Sequence, residues 1–238
     1  MKSTRPASPS GRYFKYALGE IVLVVIGILI ALAINNWNEK RKARAFEVKM
    51  LTELKTTLIN DMEYIDDHLL GNRNQSELEA LDYFKDLLRG ASRNKDSLRY
   101  HWGRIINGQF FRVNEGPYES IKSIGLEKIS NDSLRNDIVR FYDFILPRNR
   151  DLIQYLQDKI EEDSKTLKSL RKDHQVIINK DEVFIERPDP NFSLIRTPEF
   201  LEIMANTEFR TSWTLYHTKA VTDNMEYLIK KITNEHEE

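Results

Sequence analysis

Apolar residues run along this chain in more than one rhythm, and the first is nearly unbroken. From Ile21 to Ile34 there are fourteen consecutive apolar or glycine residues, inside a stretch that reads YALGEIVLVVIGILIALAI from Tyr16. Nineteen helical residues rise about 28 Å, close to the ~30 Å hydrocarbon core of a bilayer. Tyr13 and Tyr16 stand before the run and Trp37 after it, where amphipathic rings settle at headgroup level. The pattern predicts a transmembrane helix over residues 16–36. Residues 1–15, which open with Ser, Pro and basic residues, are expected to form a disordered basic tail.

Beyond the run the rhythm becomes helical. Leu51, Leu54, Leu58, Met62, Ile65 and Leu69 recur at steps of three and four, one face of an amphipathic helix that Gly71-Asn72 should end. A second helix is expected from Ser76 to Leu88, closed by Gly90. Residues 91–116 show no clear period. Pro117 can open a short helix ending near Gly125, and Asn131 or Asp132 can cap another that stops at Leu146, before Pro147. Ile153, Leu156, Ile160, Leu167 and Leu170 mark a long helix. Val176-Ile177-Ile178 and Val183-Phe184-Ile185 suit a small hairpin, followed by a turn at Pro188-Asp189-Pro190. Thr197-Pro198-Glu199 is a helix start, and a last helix from about Glu208 to Thr233 carries Trp213, Tyr216, Ala220, Leu228 and Ile232. The expected architecture is all-α: one transmembrane helix, then an elongated helical domain over residues 37–238. Two long antiparallel helices would form the backbone of that domain, with room for one β-hairpin.

Charge and composition narrow the chemistry. The first 37 residues hold four basic residues against Glu20, which leaves the remainder mildly acidic. That is no electrostatic footprint for nucleic acid. Absence of cysteine removes disulfides, thiolate metal sites and thiol nucleophiles. The histidines fall in no E-x-x-H or H-E-x-x-H pattern. Glu63, Asp66, Asp67 and His68 read as a solvated face. There is no phosphate loop and no G-x-S-x-G. No catalytic residue, metal or cofactor is expected, and the chain reads as a non-enzyme.

A cleaved signal peptide is the rival to a retained span, since Ala31-Leu32-Ala33 matches an A-x-A cleavage pattern. Apolar character continues through Ile34, however, and Lys40, Arg41, Lys42 and Arg44 follow at once, as they do beside a retained anchor. Positive charge is nearly balanced across the span. The reading adopted puts the tail inside a bacterial cytoplasmic (inner) membrane and the large domain in the periplasm. Gly19, Gly27, Ala31 and Asn35 lie on one stripe of the span, which would let two helices approach closely and form a homodimer. Glu20 has two open readings, a functional ionisable group or an interfacial residue.

GEIVLVVIGILIALAINNWNEKRK, residues 19–42, resembles the amino-terminal signature of a bacterial membrane-protein family, domain of unknown function 6090. YESIKSIGLEKISNDSLRNDIVRFYD, residues 118–143, is similar to a second pattern of that family: Tyr, a helical turn, Gly, Ile, Asn/Asp, Leu-Arg and a paired aromatic. Ala33 departs from it, where the family pattern has glutamine. The resemblance implies a single-span protein with a helical domain and brings no activity or catalytic residues. Two functions stay open. One is an envelope scaffold in the lipid bilayer, dimerised through its span and offering helical surface to an unknown envelope protein partner. The other is a ligand-sensing bundle that signals through a partner. A dry core would favour the first, and a polar pocket lined by Trp213 or Trp102 the second.

Overall fold

A computed structural model describes residues 10–91, 95–108, 110–170, 175–179, 182–186 and 192–237. The chain forms two compact units, Met1–Met50 and Leu51–Glu238. Helix α1 (Ser10–Tyr64) begins before the expected Tyr16. Once the apolar run has nucleated a helix, each added residue gains one backbone bond, so the helix extends outward through Lys15. Residues 16–37 are all exposed, and the described residues contain one helix long and apolar enough to cross a membrane.

In the second unit the leucine stripe of α1 lies inward as expected. Leu51, Leu54, Leu58, Ile65 and Leu69 are buried, and Met62 is half-buried. Gly71-Asn72 does not end the helix. The chain passes through a π-helical segment, Ile65–Asn74, directly into α2 (Gln75–Leu88). A wide turn brings residue i against the carbonyl five positions back, and a Cβ on Gly71 would sit 3.0 Å from the Asp66 carbonyl oxygen. Glycine here widens the helix where sequence reasoning expected a stop. Helix α2 does close at Gly90: Gly90 N–H donates to Leu87 O and Ala91 N–H to Asp86 O, a Schellman pair.

The stretch with no clear period holds α3 (Lys95–Arg104). Its Trp102 stacks on Phe200, with centroids 4.9 Å apart, and Phe84 packs edge-on against both rings. Helix α4 (Gly116–Ile124) starts with Pro117 in its first turn, and Gly125 follows its end. Helix α5 (Asp132–Arg140) is capped by Asn131, whose side chain accepts from Leu134 N–H at 3.0 Å. Pro147 does not break the helical path. A π-helical turn, Phe141–Ile145, joins α5 to α6 (Leu146–Leu170). Leu146 N–H reaches back to Phe141 O, and the wider turn accommodates a proline that would collide with the i−4 carbonyl of an ordinary helix. Tyr118 of α4 and Tyr142 of this turn stack face to face, 4.5 Å apart and 6° from parallel.

The hairpin is present as β1 (Gln175–Asn179) and β2 (Glu182–Glu186), antiparallel with Ile177 opposite Phe184; the Pro188–Pro190 turn lies outside the described residues. A helix starts at Thr197-Pro198-Glu199 as expected, but it does not give way to a second one near Glu208: α7 is one helix, Pro198–Glu237. It runs antiparallel to α6, since Asn149 meets His217, Gln157 meets Thr214 and Asp163 meets Asn206. Its last turns are tied to α5 by Lys231 on Asp137 and Asn131 on Glu235. Leu228 and Ile232 are buried as expected, but Trp213 and Tyr216 are exposed. Ala220, half-buried, lies between these two extremes.

Gly71→Ala should lower stability, because a Cβ 3.0 Å from the Asp66 carbonyl oxygen forces the backbone of the wide turn to shift. Thermal unfolding of the full chain in detergent checks this. An unchanged melting temperature would show that the wide turn does not need its glycine.

Candidate functional site

Thr207, Arg210, Thr211, Thr214, His217 and Thr218 are all buried in the middle of α7, while Phe209, Trp213, Leu215 and Tyr216 face out. The polarity of this stretch is inverted. The apolar residues marked in the sequence lie on the outer face because the inner face is held by hydrogen bonds.

At the centre of the inner face, Arg210 Nη2 donates to Glu77 Oε1 at 3.0 Å and to the Ile105 carbonyl at 3.3 Å. Glu77 also accepts from Thr211 Oγ1 at 2.9 Å and from Gly108 N–H at 3.0 Å. Asp163 of α6 lies 3.5 Å from Arg210 Nη1 and accepts from Asn206 Nδ2 at 3.0 Å. Thr207 Oγ1 donates to Ile105 O, and Arg73 Nη1 donates to Gly108 O. The cluster thus serves a backbone need. The loop after α3 has no ladder to satisfy its peptide groups, and α2, α7 and the π-helical segment before α2 supply side chains that do so. Gly108 is part of this fit. Its φ is +63°, and a Cβ there would come within 2.6 Å of the Ile160 side chain.

Burial pushes the carboxyl of Asp163 above the usual carboxylate range, against the opposing pull of Asn206 and Arg210. Sequence reasoning stepped over this residue. Asp163 sits between Ile160 and Leu167 at core spacing, so its position was readable although its partner was not. Glu77 had no such signal, because its three donors come from distant parts of the chain.

The outer face forms a seam between α6 and α7. Leu152, Tyr155, Leu156, Phe209, Trp213 and His217 line an apolar groove of about 200 Å³. Phe209, Trp213 and Tyr216 follow one another along α7 at ring separations near 6 Å: 5.9 Å and 5.8 Å. Asn149 uses its amide nitrogen on Ile145 O, so His217 Nδ1 donates to Asn149 Oδ1 across 2.9 Å. Burial and the nearby Arg148 hold the imidazole pKa below its ordinary value, which keeps His217 neutral at neutral pH. A second groove, about 520 Å³, lies beside Gly108 and Phe110 and is lined mostly by the polar side chains of α6.

The residues singled out in the sequence fall elsewhere. Gly19, Gly27, Ala31 and Asn35 lie on the first unit's part of α1, and nothing stands within 4 Å of a Cβ built on either glycine. Among the described residues no contact requires them to be glycine. Tyr13 is helical, Tyr16 and Trp37 are exposed, and Arg41 rests over the Trp37 ring at 5.2 Å. Trp102 is in the core. Glu63, Asp66, Asp67 and His68 are exposed. Among the described residues there is no group of three or more side chains able to hold a metal ion.

An apolar helix of membrane-spanning length and a separate α-helical unit define the class: a helical protein with a candidate membrane span. The chain belongs to the family of unknown function DUF6090, whose model matches residues 20–202. No curated protein and no solved structure matches it.

Glu77→Ala should cost about 3–5 kcal/mol, because it leaves Arg210 buried beside a weaker partner. Glu77→Leu combined with Arg210→Met should not recover that loss, because Gly108 N–H and Asp163 are then left without these partners, and urea unfolding of the three proteins compares them. Asp163 gives a pH signature. The folded protein holds its proton more tightly than the unfolded chain, so this contribution is full below 3.8 and fades as pH rises through the raised native value. Relative to Asp163→Asn, the parent should therefore lose stability as pH climbs from 3.8. Melting temperatures measured across the acidic range would contradict this if the two proteins kept a constant offset.

Proposed function

We propose that this protein is a membrane-anchored interaction module of the bacterial envelope, a scaffold that docks protein through the α6–α7 seam. One observation carries the reading: aromatic side chains stand exposed on a face whose interior side is fixed by buried ion pairs. A rigid, outward-facing row of Tyr, Trp and Phe is the composition that protein interfaces favour. The closely packed aromatic core around Trp102 supports the scaffold over the ligand sensor, and so does the seam groove at Trp213, which is small and almost wholly apolar. In this reading the apolar amino-terminal part of α1 is retained in the inner membrane and the larger unit is periplasmic. Two spans associate through Gly19, Gly27, Ala31 and Asn35, and the open space around both glycines suits such an approach.

Alkaline carbonate should leave the protein in the membrane fraction, and a phosphatase fused to its carboxyl terminus should be active. Release by carbonate, or an inactive phosphatase beside an active cytoplasmic reporter, would overturn the anchor or its orientation. In a two-hybrid assay for membrane helices, Gly27→Ile should weaken association of residues 12–40 more than Leu29→Ile does. Equal signals would remove the span from the dimer.

A further inference from the structure

We infer that the occupant of the α6–α7 seam is a second copy of this chain, seated by a two-fold contact; the inference rests on the interaction reading above. Area is the first ground. Leu152, Tyr155, Phe209, Trp213 and Tyr216 are between 37% and 64% exposed. With aromatic side chains of ~150–250 Å² each, they offer on the order of 500 Å² of apolar surface. Two copies together would remove about 1,000 Å², the size at which specific interfaces begin.

Charge supplies the second ground. A two-fold contact sets each residue near its own mate, so a charged centre would repel itself. The seam lining contains no Lys, Arg, Asp or Glu, and burial keeps His217 neutral. Aromatic rings, by contrast, pair favourably with their own kind, edge to face or offset. Shape agrees: Tyr155 and Tyr216 stand out beside a groove of about 200 Å³, giving each copy both a projection and a recess. An anionic lipid surface fits less well. The seam continues towards Glu162, Glu199 and Glu202, with Lys159 the one basic residue among the lining side chains there.

The chain has no cysteine, so single cysteines report contacts without background. Tyr155→Cys, Tyr216→Cys and, as a control on another surface, Ile124→Cys are made in the full chain and treated in native membranes with a short bis-maleimide. A covalent dimer is expected at 155 and 216 and not at 124. Adding Trp213→Glu should abolish the Tyr216→Cys dimer, with the circular dichroism spectrum unchanged. Equal dimer at all three positions, or a Tyr216→Cys dimer lost with Gly27→Ile but kept with Trp213→Glu, overturns the seam contact and leaves the interaction reading standing. An adduct at 216 with a protein of different mass and no self-adduct also rejects the second copy. No adduct of any kind at 155 or 216 rejects both.

Discussion

The buried pairing of Arg210 with Glu77 is the constraint on which much of the larger unit depends. A guanidinium taken out of water needs several acceptors at once, and here they come from α2 and from the Ile105 carbonyl, with Asp163 of α6 nearby. Meeting those needs fixes the rotation of α7 about its own axis. Once Arg210 points inward, its neighbours one turn away, Thr207 and Thr214, are also inward. The aromatic residues between them have nowhere to go but out. An electrostatic requirement inside the bundle thereby decides the chemistry of its surface.

The same pairing explains how a loop-rich stretch is held without a sheet. Ile105 O accepts from Thr207 and Arg210, Gly108 O accepts from Arg73, and Gly108 N–H donates to Glu77. Tyr118 and Tyr142, well apart in sequence, do a comparable job by stacking where α4 meets the turn before α6. These are specific contacts on a background of ordinary leucine packing, and they concentrate where the helices are interrupted.

Most of the helices were legible in the sequence because their signals are local. The Leu51–Leu69 stripe, the Asn131 cap, the Gly90 stop and the two short apolar runs of the hairpin each depend on neighbours a few positions away. What misled was also local. Gly71-Asn72 and Pro147 are ordinary stop signals, and both lie in or beside π-helical turns that carry the chain onward. Trp213 and Tyr216 looked like core because large rings usually are, and only a partner 133 positions away, Glu77 to Arg210, shows why they are not. The seam was therefore invisible to periodicity. The small-residue stripe of the span was visible, but its meaning depends on a neighbouring molecule.

The wide turn at Ile65–Asn74 sets the phase of the helix beyond it. Each residue of an ordinary helix advances the side chains by about 100°. Shortening that turn by one residue would leave α2 intact in composition, yet it would swing Glu77 a quarter-turn or more away from Arg210. The extra backbone length works as a gear, matching the leucine face of α1 to the ion-pairing face of α2. A helix with perfect, uninterrupted periodicity could present one of those faces to the core, but not both.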